Sequence, residues 1–127
     1  MSYQAKLGMI TLLNALNCKD EIKKNSLQLN YVDATKKSTD LAKDYNDAKK
    51  SIAAEYEQDT AEYDKAMEEV ENEFEFLKAQ NAEYENEVQM QLENVNTKIT
   101  SRDKYVETLK GQIGQEVQED HTYGFNS

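Results

Sequence analysis

Between Met9 and Lys110 the chain has neither glycine nor proline, a gap of 102 residues. Proline is absent altogether, and the four glycines (Gly8, Gly111, Gly114 and Gly124) lie outside the gap. Glycine enters positive-φ turns at little cost and proline pre-sets turn entry, so compact folds use both as punctuation. Their absence excludes the closely spaced turns of a β-rich domain and predicts long helix. It also excludes a glycine-rich phosphate loop over the same residues.

Other scarcities narrow the chemistry. The single cysteine, Cys18, rules out an intrachain disulfide and makes a thiol metal site improbable. The single histidine, His121, has no serine or cysteine at a paired spacing, so no nucleophile–base arrangement is visible and His121 reads as a surface residue. Acidic groups such as Glu68/Glu69, Glu71/Glu73/Glu75 and Glu83/Glu85/Glu87 lack the Glu-x-x-His partners of a helical-bundle metal site. Their spacing of two scatters them around a helix, which predicts a solvated face. No calcium-loop pattern of acids around a central glycine occurs. The sequence therefore predicts no enzyme, and no catalytic, cofactor or metal site. No run approaches ~18 apolar residues, so no membrane-spanning helix is expected.

Only 38% of the 127 residues are apolar and mean hydropathy is −0.93, too little to build an isolated compact core. Charge is unevenly placed within the net −10. Residues 1–54 hold nine lysines against six acids, and residues 55–127 hold six basic residues against nineteen acids. An acidic body argues against nucleic acid as a partner, because phosphate binding needs a basic face. The asymmetry suits antiparallel or staggered packing as well as it suits a solvated acidic surface.

Four regions follow. Residues 1–16 form an amphipathic N-terminal helix, with Tyr3, Leu7, Ile10, Leu13 and Leu16 at helical spacing. Residues 7–16 mimic the core of a signal peptide but lack a weighty basic leader, and read as an uncleaved segment. Its leading role is docking onto the rest of the chain or onto neighbouring copies. Contact with a membrane surface through residues 2–16 is a weaker alternative, since Lys6 is its only basic residue. Residues 17–25 form a polar junction, and Asn25 with Gln28 fits a helix-start pair. Residues 26–118 form a long helical, coiled-coil-like region, and residues 119–127 an aromatic tail.

The long region carries one stripe. From Leu27 to Val117 it advances ninety residues in twenty-five steps of three or four, a mean of 3.6. Ser38, Asp59, Asn81 and Arg102 occupy its four polar in-phase positions. The mean lies between the left-handed heptad and the right-handed eleven-residue repeat, so weak supercoiling is expected. Residues 58–60, 80–81 and 94–97 are the candidate turns, yet the phase runs through all three. A helical hairpin and a single rod of ~130 Å remain equally open. Gly111 and Gly114 are expected to loosen the end.

Fold class is thus all-α: a short N-terminal amphipathic helix, then a very long coiled-coil-like helix or helical hairpin. The expected self-association surface is Leu7, Ile10, Leu13, Leu16, Leu41, Tyr45, Ile52, Tyr56, Tyr63, Val70, Phe74, Leu77, Val88, Val95, Ile99 and Val106. Tyrosine and alanine are common in this stripe, which makes it shallow and favours many copies packed side by side. The expected partners are copies of the chain itself, with another helical protein as the alternative. On the first view it is a structural subunit of a filament or other repetitive assembly. On the second it is a soluble coiled-coil adaptor, chaperone or phage scaffold.

A short chain free of tryptophan and proline, with an apolar N-terminal helix, resembles the self-assembling filament and needle-type substrates of type III (flagellar-like) secretion systems. The likeness is one of composition and layout across most of the chain. It implies a helical subunit exported without a cleaved signal; the other expectation is a cytoplasmic location. Needle subunits are shorter and turn at a proline, which this chain lacks. In length and acidity it is also similar to two-helix prefoldin subunits, but the glycine-free centre leaves no room for their β-hairpin insert.

Overall fold

A computed structural model describes the backbone of residues 1–126 and the side chains of residues 1–118. Two α-helices account for nearly all of it: α1, Tyr3–Glu55, and α2, Ala61–Asn126. The chain is an all-α helical hairpin, with no strand among the described residues.

Of the three candidate turns, only the first is used. Residues 56–60 connect the helices. The amide of Tyr56 closes α1 onto the Ile52 carbonyl at 2.9 Å. Asp59 then reverses the chain at φ 63°, a left-handed conformation that aspartate tolerates better than most side chains. Thr60 caps α2: its Oγ1 accepts from the Tyr63 amide at 3.2 Å and donates to the Glu57 carbonyl at 2.7 Å. Glu62 and Asp64 in the first turn of α2 suit the positive end of its dipole. The loop, residues 56–60, is little longer than the single stripe step from Tyr56 to Asp59, and the next stripe position, Tyr63, already lies in α2. The three-or-four spacing therefore passes through the turn unaltered, which is why phase alone did not reveal it.

Three expectations are corrected. The N-terminal segment is not a separate short helix: α1 runs unbroken through residues 17–25, and Asn25 lies inside it as an exposed residue. The junction is polar, but three of its residues, Lys19, Lys23 and Lys24, cost a helix little. The true start is Ser2, whose Oγ accepts from the Ala5 amide at 3.1 Å and whose carbonyl accepts from the Lys6 amide at 2.9 Å. Gly111 and Gly114 both lie inside α2, which continues past them. A Cβ at either would meet nothing within 4 Å, so no packing contact demands glycine there. The side chains of the proposed aromatic tail, residues 119–127, lie outside the described residues.

The chain divides into two units: Met1–Ser26 with Leu92–Ser127, and Leu27–Gln91. Each holds one stretch of α1 against one of α2. In the first, Lys6 pairs with Glu116 and Asp20 with Arg102. In the second, Ala34 meets Asn81 and Tyr45 meets Phe74. Partner numbers fall as the α1 number rises, so the pairing is antiparallel in both.

Candidate interaction surfaces

The stripe read from the sequence is, in the structure, the seam between the two helices of one chain. Every buried apolar residue among those described belongs to it: Leu27, Ala34, Ile52, Val88, Val95, Ile99, Val106 and Leu109. Of the sixteen residues assigned to self-association, Ile52, Val88, Val95, Ile99 and Val106 are buried there. Ile10, Leu13, Leu16, Leu41, Tyr45, Tyr63, Val70, Phe74 and Leu77 are half-buried, and Leu7 and Tyr56 are exposed.

In the first unit the seam is bolted by polar contacts. Lys6, 8% exposed, forms an ion pair with Glu116. Asn17, also 8% exposed, donates from Nδ2 to Asp103 at 2.8 Å. Its own Oδ1 is buried without a partner, so that position carries a desolvation cost. Arg102 pairs with Asp20. Lys6 is thus engaged by α2, and Ile10, Leu13 and Leu16 of the same segment are half-buried, whereas Tyr3 and Leu7 stay exposed. Arg102 is a polar member of the stripe; Lys6, Asn17 and Asp20 lie before its start, although Leu13, Asn17, Asp20, Lys24 and Leu27 continue the three-and-four spacing. A stripe carried on by polar residues was the available signal.

The Asp20–Arg102 contact predicts a pH dependence. The hydrogen bond from Arg102, helped by the charges of Arg102, Lys98 and Lys23, holds the Asp20 carboxyl below its ordinary value of 3.8, with desolvation opposing in part. A carboxylate whose folded pKa is depressed contributes stability above its unfolded pKa, lost as pH falls through the folded value. Asp20→Asn should therefore lower the urea midpoint at pH 7, and the gap between the two proteins should narrow as pH falls below 3.8. Parallel midpoints across that range would mean the ion pair does not form.

The second unit is built differently. Tyr45 and Phe74 stack across the seam with centroids 4.2 Å apart and planes 9° from parallel. Lys49 Nζ lies 4.5 Å from the Tyr45 ring centre and Lys78 Nζ 5.8 Å from that of Phe74. A groove of about 250 Å³ beside the stack is lined by Leu41, Asp44, Tyr45, Ala48, Val70, Glu73, Phe74 and Leu77. Asn81, 6% exposed, donates to the Ala34 carbonyl at 2.9 Å and to Glu85 at 3.4 Å. A buried amide in an otherwise apolar seam fixes register at a cost in stability. Asn81→Leu should accordingly raise the urea-unfolding free energy by ~1 kcal/mol through added apolar burial, while seam amides exchange faster as register loosens. A fall of similar size would show that the bond to Ala34 outweighs the burial.

Among the described residues no group of three or more His, Cys, Asp or Glu side chains converges as a metal site. No described helix is long and apolar enough to cross a membrane. The acids of α2 between Glu62 and Glu87 are exposed apart from half-buried Glu85. Comparison of the chain with protein-family models, curated proteins and solved structures gave no match.

Proposed function

We propose that this protein is a non-enzymatic helical subunit that works by associating with copies of itself in a filament or other repetitive assembly. The observation that carries this reading is how little the hairpin buries. Two paired helices cover one face each. Among the described residues no side chain is below 2% exposed. Eight apolar residues are buried while thirteen large ones stay exposed, from Leu7 and Ile22 on α1 to Phe76 and Met90 on α2. Single exposed apolar residues are ordinary on a protein surface. Here they outnumber the core, and lateral packing of further helices is the direct way to cover them. Exposed apolar side chains on both helices give a subunit more than one contact surface, which repetition requires.

Size-exclusion chromatography with light scattering tests this. The mass should exceed the 14.6 kDa of one chain and rise with loading concentration, and negative-stain micrographs should show repeating particles. A well-folded monomer that persists at millimolar concentration would end the proposal.

A further inference from the structure

The outward face of α1 in the first unit carries a second row of its own. Thr11, Ala15, Cys18, Ile22 and Asn25 follow one another at steps of four, three, four and three. All five are exposed and none is charged, though Lys19 and Glu21 stand beside the row. At 100° per residue, Ala15 and Ile22 lie about 200° around the helix from Leu13 and Asp20, which face α2. The row is therefore not spare seam. Thr11 donates its hydroxyl to its own Leu7 carbonyl at 3.1 Å, so it asks for no outside acceptor. The same steps continue in sequence to Leu29 and Val32, 67% and 61% exposed in the second unit. On α2 the exposed row Asn72, Phe76, Ala79, Glu83, Asn86 and Met90 is interrupted by a charge.

We infer that this row is a coiled-coil surface whose occupant is α1 of a second copy, parallel and in register; the inference rests on the self-association reading above. Alternation of three and four gives a 3.5-residue repeat, the spacing that keeps two helices in contact along a left-handed supercoil. Asn25 selects the partner. Its carboxamide both donates and accepts, so an identical Asn25 at the same level satisfies it. In the antiparallel alignment with the greatest overlap of the row from Thr11 to Leu29 it falls opposite Ala15, leaving a polar group facing an apolar one. Flanking charges agree: in the parallel register Glu21 comes opposite Ser26, and Lys19 opposite Asn14, so no like charges oppose. The stretch from Thr11 to Asn25 is only ~21 Å long. Such a contact falls at the small end of specific interfaces, and the pairing is concentration-dependent.

This register brings the two Cys18 side chains face to face, within the distance a disulfide requires. The full-length protein is incubated with oxidised glutathione, and each Cys18–Cys18 bond formed releases two reduced glutathiones, which take up the two thiol protons and two electrons. A non-reducing gel should show a covalent dimer. Sedimentation of the reduced protein should show association at least tenfold weaker in Ile22→Asp, with its 222 nm ellipticity unchanged because Ile22 is 67% exposed. The same substitution should abolish the cross-link, whereas a disulfide from random collision would survive it. Cys18→Ser should associate like the native chain. Concentration-dependent association without a Cys18 cross-link, or unaffected by Ile22→Asp, overturns this interface and leaves the self-association reading standing. A chain that never associates overturns both.

Discussion

Val88→Asp is expected to destroy most of the cooperative unfolding transition and a large part of the 222 nm ellipticity at 25 °C. Val88 is 3% exposed, and α2 offers it no cation: Glu85 and Glu87 are its nearest charged neighbours in sequence. With no cation beside it on α2, a carboxylate placed there loses its hydration. The cost of such an uncompensated buried charge is ~3–5 kcal/mol, against a total of ~5–15 kcal/mol for a typical domain. Gln89→Asp, at an exposed neighbour, supplies the control and should shift stability by no more than ~0.5 kcal/mol. Thermal melts at micromolar concentration separate the hairpin from its assembly. If Val88→Asp melts with the parent, the helices are not paired through this stripe.

Met90→Pro isolates the backbone from the side chain. Met90 is 65% exposed, so its side chain contributes little and Met90→Ala should be nearly silent. Proline removes an amide donor from the interior of α2, and its ring crowds the carbonyl of Asn86 four residues earlier. The expected loss is ~3 kcal/mol or more, read as a lower urea midpoint. Equal midpoints for the alanine and proline variants would mean that residues 86–90 are not helical. Together the two substitutions ask separate questions, one about which face is buried and one about whether the helix continues.

Much of the fold was legible because helical periodicity is a local property. The spacing from Leu27 to Val117 picked out all eight apolar residues that are buried among those described. Even its polar members proved informative. Asp59 sits in the turn, Asn81 is the buried amide and Arg102 holds Asp20. Ser38 is simply exposed. The N-terminal boundary was misplaced because the stripe there changes chemistry, from leucines to Asn17, Asp20 and Lys24, without changing phase. Residues 17–25 looked like a junction on composition, yet Asn17 and Asp20 face α2 and have partners there.

The surface role was less legible. A periodic apolar face announces that something must cover it, but carries no label for what does. Fourteen of the sixteen residues assigned to contacts between copies are buried or half-buried within one chain. The exposed row on α1 is the weaker of two patterns on one helix, and the apolar stripe on the other side masks it in the sequence.

Sequence alone determined that this protein is helix, and along which line each helix is apolar, because both follow from backbone permissiveness and the three-or-four spacing of side chains. Tertiary structure decided that α1 and α2 cover one another. That choice depends on Asp59 entering a left-handed turn and on Asn81, Asn17 and Arg102 finding partners far along the chain, none of which is written in local spacing. Only once that face is consumed does the exposed row on the opposite side of α1 stand out.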